Sequence, residues 1–289
     1  YNMIERIKAG IEGKYEGLDN GLERINDYIF GVQKACYTLI GGLSGSAKTT
    51  LLDFILLNAI NDAKAKNIPI NITYYSWEVD EDSKKCNWLS VLVYRNYGIV
   101  IPPEKIKGLG KNRLTDDELK MIEATIPELD QTFKEINWVW DSQHPTKMYN
   151  DWWNCMITKG KLVKERYKDE NNVDKERIIG FESYNPEEYN IVAGDHLALA
   201  KLQQGFNLKQ NIDKLSEYMI LCRNLFKMTF IWLQQFNQSL SSVERMKFKG
   251  ADISPQQSDF RDTTNPYIDA DVVMGLMNAH KMDMDRCLG

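Results

Sequence analysis

"GGLSGSAKTT", residues 41–50, decides how the rest of this 289-residue chain is read. It lies between two apolar runs, "CYTLI" (36–40) before it and "LLDFILL" (51–57) after it. Phosphate-binding loops read Gly, four free positions, Gly, Lys, then Ser or Thr. Gly42, Lys48 and Thr49 fit that spacing, and Ala47 stands where the second glycine belongs. A strand, a glycine-rich turn and a helix, in that order, aim successive backbone N–H groups and a helix N-terminus at one anion. On this reading Gly42, Ser44, Gly45, Ser46, Ala47, Lys48, Thr49 and Thr50 cradle the phosphates of a nucleotide. Lys48 reaches the β and γ phosphates and the Thr49 hydroxyl binds Mg2+. Ala47 matters if its position needs a positive φ or the close approach of a phosphate; otherwise a small Cβ at the mouth of a helix is accommodated. The competing reading is a loop that contains Gly, Lys and Thr by chance.

The surrounding pattern supports a strand–loop–helix context. "KACYTLIGG" (34–42) is a buried strand, and "TTLLDFILLNAINDAKAK" (49–66) gathers its apolar residues around one helical face. "PINITYYSWE" (69–78) is a second strand, followed by a helix from about Asp80 to Tyr97 that ends near Gly98. "TDDEL" (115–119) caps and charges the start of another helix. "INWVWD" (136–141), "NIVAGDHLALA" (190–200, ending as a strand at Asp195), "TFIWLQQFNQ" (229–238) and "DADVVMGLMNA" (269–279) are four further strands. Between them Ile212, Leu215, Met219, Cys222 and Phe226 mark an amphipathic helix. Strands alternating with helices predict an α/β fold, a mostly parallel sheet with helices on both faces. Residues 1–30 read as an N-terminal linker, opening with amphipathic Met3, Ile4 and Ile7, and 31–289 as one domain. Residues 149–189 begin helix-like around Trp152 and Trp153, then turn charged with little periodicity. They read as a helix plus an irregular, exposed excursion.

Composition narrows the function classes. A net charge of -5 argues against a protein that coats nucleic acid over its whole surface, and leaves room for a local basic patch. Five widely spaced cysteines with no C-x-x-C pair point to reduced, mostly buried thiols. No apolar stretch approaches the length of a membrane span and no signal peptide is visible, so a cytoplasmic protein without a membrane partner is expected.

Two strand ends add candidate chemistry. Asp195 closes the short apolar run "IVAG" and stands where an acidic residue holds a metal-bound water; a carboxylate capping the next turn is the alternative. Glu78 closes "ITYYSW" and projects from the edge where α/β ligands sit, so it is a candidate general base that orients attacking water. A solvated glutamate is the alternative there.

In order, "SGSAKTT" (44–50), "YYSWE" (74–78), "VAGDH" (192–196), "WLQQFNQ" (232–238) and "SDFRDTTNPYIDADVVMGL" (258–276) resemble the RecA-like ATPase domain of DnaB-family hexameric replicative helicases, superfamily 4, including bacteriophage versions. "QQFNQ" and "SDFRD" followed by "DADVV" carry the most specific part of the resemblance, and "GLDNGLERINDYIFG" (17–31) resembles the lead-in to that domain. The resemblance implies an ATP hydrolase of 5'-3' helicase type, using ATP and Mg2+, with Glu78 as catalytic base and Asp195 as second metal-shell acid. It implies Gln235 as sensor of the γ-phosphate, since an amide can both donate to a phosphate oxygen and accept from water. Arg261 is expected to organise a polar network or a subunit edge. Gln238 departs from the family's usual arginine. The family's arginine finger lies in a Lys-x-Arg segment beyond the strand that "DADVV" begins, and the sequence stops at Gly289 before it. Either the sequence is cut short or hydrolysis is impaired, and Arg286 is not nominated.

As a ring motor the protein is expected to form a homo-oligomer, a hexamer by resemblance, with single-stranded DNA in its pore and a primase or helicase loader as a further partner. "KLQQGFNLK" (201–209) and "SSVERMKFKGADISPQQ" (241–257) are the candidate pore loops. The second carries Arg245, Lys247 and Lys249 with Phe248 interleaved, the composition suited to tracking a phosphate backbone; a solvated lysine loop is the alternative. The N-terminal amphipathic stretch packs either on a neighbouring subunit or on its own domain. The rival functions are a RecA-like recombinase filament on single-stranded DNA and a low-turnover RecA-like scaffold or loader.

Overall fold

The computed structural model describes residues 3–11, 13, 16–237 and 255–278. Its strands in chain order are β1 (Tyr37–Gly42), β2 (Ile70–Ser76), β3 (Ile136–Val139), β4 (Gly160–Lys168), β5 (Asp174–Ser183), β6 (Tyr189–Asp195), β7 (Thr229–Gln235) and β8 (Val272–Leu276). Six of them form one sheet in the order β3-β2-β6-β7-β1-β8, every pairing parallel. The α-helices are α1 (Met3–Ile11), α2 (Glu23–Ile29), α3 (Lys48–Ala65), α4 (Glu81–Tyr97), α5 (Pro103–Ile106), α6 (Asp116–Lys134), α7 (Pro145–Ile157), α8 (Leu208–Phe226) and α9 (Asn265–Asp269). No described helix is long and apolar enough to cross a membrane.

Side chains leave the sheet alternately toward two cores, as the period-2 pleat requires. Ile40, Ile72, Tyr74, Ile191, Ala193, Ile231 and Leu233 face one core, which α3, α4 and α6 cover. Leu39, Tyr75, Val192, Phe230 and Trp232 face the other, which α7 and α8 cover. With helices on both faces, central strands such as β6 are buried at every position, which is why they read as continuous apolar runs. α3 buries Leu52, Ile55, Leu56, Ala59, Ile60 and Ala63, a repeat of three and four. α6 starts at the expected capping box, with Thr115 and Glu118 each accepting from the other's backbone N–H. α4 ends at Gly98 in the left-handed region, also as expected.

The second half of the 149–189 stretch departs from its sequence reading. After α7, β4 and β5 form a regular antiparallel hairpin with one register shift at Val163/Lys164. Toward its tip both faces of the ribbon lie in solvent, so no apolar alternation announces the strands. Cross-strand charge holds the outer part instead. Glu165 faces Arg177 with a 2.6 Å ion pair, and Arg166 faces Glu176 at 3.3 Å. The base is apolar, where Phe181 meets Phe226 edge-on at 5.0 Å.

The "DAD" stretch also gains a structural role. Asp271 accepts from the Tyr37 backbone N–H at 2.8 Å and pairs with Arg223, while Asp269 accepts from the Ser216 hydroxyl at 2.7 Å. Together they fasten the start of β8 to β1 and α8.

Gly194 on β6 tests the closeness of this packing. A Cβ there would lie 2.2 Å from the Trp232 ring, which is itself wedged against Tyr75 and Trp77. Gly194→Ala is expected to lose about 1–3 kcal/mol, read as a lower urea midpoint at unchanged slope. A variant as stable as the parent would contradict the packing described.

Candidate functional site

The carboxyl ends of all six parallel strands lie on one rim of the sheet, and the sheet register brings the candidate residues together there. Gly42 is the partner of Gln235, and Ser76 is the partner of Asp195. One cleft at this rim is lined by Ser44, Gly45, Ala47, Lys48, Thr49, Thr50, Glu78, His196 and Gln235. Most of the residues named from the sequence for phosphate binding therefore share the cleft with the proposed base and sensor. Gly42 and Ser46, both buried, complete the loop behind it.

Local geometry explains the loop composition. At Gly42 a Cβ would sit 2.3 Å from Ser46 Oγ and 3.1 Å from both the Leu276 carbonyl oxygen and the Lys48 side chain, so any side chain there would have to displace the Ser46 hydroxyl. Gly45 has φ +70. Ala47, the residue before α3, has φ 64 and ψ 28, the left-handed region. The condition under which Ala47 matters is thus met: the position does need a positive φ, and alanine carries about 1–2 kcal/mol of backbone strain that glycine would not.

Lys48 Nζ donates to the Gly42 and Leu43 carbonyls at 3.0 and 2.9 Å. Burial pushes its pKa down, and the charges of Asp195 and Glu78 offset part of that. A half-buried ammonium held by two neutral carbonyls, beside the N-terminus of an 18-residue helix, is a cation suited to a polyanion.

Thr49 and Asp195 form the second element. The Thr49 hydroxyl donates to Asp195 Oδ2 at 2.5 Å, while Asp195 Oδ1 is buried without a hydrogen-bond partner. Burial pushes the Asp195 pKa up, against the pull of the Thr49 hydroxyl and of the Lys84 charge. One hard hydroxyl oxygen and one carboxylate with a spare buried lone-pair atom fit Mg2+, which typically takes one or two protein oxygens and completes its shell with water and phosphate. Among the described residues no cluster of three or more His, Cys, Asp or Glu could hold a metal alone.

Glu78 lies two residues beyond the end of β2, not within it. It is exposed, faces the cleft, and has no hydrogen-bond partner among the described residues. Gln235 ends β7 and is buttressed by the "SDFRD" stretch running alongside it. The Arg261 backbone N–H donates to the Gln235 carbonyl at 3.0 Å, and Phe236 bridges Phe260. The Arg261 guanidinium also reaches Gln235 Oε1 at 3.5 Å. Of the candidate DNA contacts, the first loop lies in the described chain; Arg245, Lys247 and Lys249 lie outside the described residues, as do Phe248, Gln238 and Arg286.

Sequence reasoning misses two features. His196 follows Asp195 and lines the cleft; burial pushes its pKa down, with the Lys48 charge adding to that and the Asp195 charge opposing it. Its place directly after a strand-end aspartate is the available signal. The other is a buried cluster of Asp53, Tyr74 and Lys84 behind the cleft. Nothing local in "LLDFILL" or "DSKKC" announces that those two charges meet.

No family model matches this chain, and no curated protein matches it. Solved structures do. One is a DnaB-like replicative helicase, whose structure was described together with its interactions with primase: 14% identity, a TM-score of 0.66, and 94% of this chain against 55% of that one. Another is the ATPase domain of the helicase of phage SPP1: 16% identity, a TM-score of 0.68, and 98% of this chain against 85% of that one. This chain thus spans about half the length of the DnaB-like helicase. At these identities the likeness is one of fold: the chain has the RecA-like α/β fold expected from its sequence.

Ala47→Gly is expected to relieve about 1–2 kcal/mol of left-handed strain and to return about 0.4–1 kcal/mol through a more flexible unfolded chain. The net gain, roughly 0.5–1 kcal/mol on those figures, would raise the denaturant midpoint. A lowered midpoint would contradict the backbone geometry at Ala47.

Proposed function

We propose that this chain is the ATP-hydrolysing motor domain of a DnaB-family DNA helicase that translocates on single-stranded DNA as a ring. The observation that carries the reading is convergence of four separate segments: Lys48, Thr49, Glu78 and Gln235 line one cleft, and Asp195 is held behind it by the Thr49 hydroxyl. That is the set phosphoryl transfer needs: a cradle for charge, an oxygen pair for a cation, a base for water and a group that reads the terminal phosphate.

The loop amides and the α3 N-terminus receive the phosphates of ATP, and Lys48 leaves its two carbonyls to meet the β and γ oxygens. Mg2+, held by Thr49 and Asp195, would supply further neutralisation of the charge that builds on those oxygens. Glu78, unpaired and at the rim, orients the attacking water and accepts its proton. Gln235 senses the γ-phosphate. Its backbone is tied to Arg261, and the chain runs directly from it into the basic segment that holds Arg245, Lys247 and Lys249. Loss of the γ-phosphate is thereby linked to movement of DNA-contacting loops. The exposed apolar side chains of Met3, Ile7 and Ile11 on α1 support assembly with further copies.

The full-length protein is expected to hydrolyse ATP and to do so faster with single-stranded DNA. No DNA-stimulated turnover would sink the motor reading and leave the scaffold or loader reading. Helical filaments rather than closed rings in electron micrographs with an ATP analogue would favour the recombinase reading. Glu78→Gln should keep ATP binding and lower kcat by about 100- to 10,000-fold; normal turnover would refute Glu78 as base. Lys247→Ala with Lys249→Ala should weaken single-stranded DNA binding and reduce the salt slope by about 0.7 per lysine, and an unchanged slope would count against that loop.

A further inference from the structure

Behind the cleft, three polar groups are buried among apolar side chains. Lys84 Nζ lies 3.2 Å from both carboxylate oxygens of Asp53 and 3.0 Å from the Tyr74 hydroxyl. The Tyr74 hydroxyl in turn donates to Asp53 Oδ1 at 2.9 Å. All three residues are 0–1% exposed. Burying an ion pair costs desolvation that its attraction often does not recover, so stability alone is weak grounds for keeping one.

Its location suggests another role. Asp53 is one helical turn after Thr49 on α3, on the same face. Tyr74 is two residues before Ser76, whose sheet partner is Asp195. Lys84 sits in the first turn of α4, six residues after Glu78. The other buried residues of α4 are Trp88, Leu89, Leu92 and Val93, all further along. Lys84 is therefore the side chain that pins the N-terminus of α4 into the core. The short connection between β2 and α4 carries Glu78, and none of its other fixings reaches α3 directly. Ser76 Oγ donates to the Val79 carbonyl at 2.8 Å, Trp77 Nε1 donates to the Asp141 carbonyl at 3.1 Å, and Asp80 caps α4. Among the hydrogen bonds and ion pairs of the described residues, the Lys84 cluster ties the α4 end of this connection directly to the phosphate-loop helix, while its β2 end reaches that helix indirectly, from the Trp77 backbone N–H through Asp195 to Thr49.

We infer that Lys84 is a positioning residue: through Asp53 and Tyr74 it fixes the Glu78-bearing connection relative to α3, and so sets the distance between base and phosphates. The inference rests on the ATPase reading above. It separates the cluster from a merely structural ion pair, because an apolar replacement that keeps the fold should still lose rate.

The test is the double variant Asp53→Leu with Lys84→Met in the full-length protein. It is expected to fold, its urea midpoint lowered at most by the cost of the Tyr74 hydroxyl left without its two partners. It should bind a non-hydrolysable ATP analogue within about twofold of the parent while kcat falls about 10- to 100-fold. A folded double variant with parental kcat overturns the proposal. Should that variant not fold, Tyr74→Phe decides, since it removes one hydroxyl and little volume. A kcat lowered about threefold or more at unchanged KM upholds positioning, and an unchanged kcat overturns it. A parent that does not hydrolyse ATP overturns the ATPase reading and this inference together, whereas an active parent with unaffected variants overturns this inference alone.

Discussion

A sheet whose strands all run the same way delivers every strand's carboxyl end to one edge, and the candidate site exists because of that constraint. Gly42, Asp195 and Gln235 are far apart in sequence, yet each terminates a strand, and parallel pairing gathers them at the same rim. The hydrogen bond from Thr49 to Asp195 then ties the helix leaving β1 to a strand two places away in the sheet. Parallel pairing demands crossover helices, and those helices bury both faces. The same requirement that makes two cores leaves the rim as the place where backbone N–H groups, a helix N-terminus and strand-end side chains meet solvent.

Within that rim the loop trades comfort for position. Gly42 leaves room for the Ser46 hydroxyl, which a Cβ would displace, and Ala47 tolerates a backbone conformation better suited to glycine. Lys48 is half-buried with neutral acceptors, and Asp195 is buried with one oxygen unpaired. Each is a local cost that an anion or a cation would offset, and the costs are gathered in one cleft.

What the sequence discloses follows from where its signals are local. Strand, loop and helix around Lys48 are legible because motif, periodicity and capping sit within a few residues of one another. The capping box at Thr115 and Glu118 and the stop at Gly98 are legible for the same reason. The end of β2 reads two residues too long, since Trp77 and Glu78 continue an aromatic, β-prone run while the backbone has already left the sheet. The Asp53–Lys84 pair is invisible because its partners are 31 residues apart, and each looks like a solvated charge in its own segment. His196 stands within "VAGDH" without an evident role, because only the assembled cleft shows what an imidazole there faces.

The charged hairpin is misleading for a related reason, and its pairing has a consequence of its own. A strand with an oily side is aligned by that side, but β4 and β5 have none beyond their base. Their alignment is written in signs. Shifting one strand by a single residue one way would set Glu165 against Glu176, Arg166 against Lys175 and Lys164 against Arg177; shifting it the other way would set Arg166 against Arg177 and Lys168 against Lys175. Either misalignment stacks like on like along the ribbon. This segment thus proofreads its own assembly without help from the interior, a ruler graduated in alternating polarity.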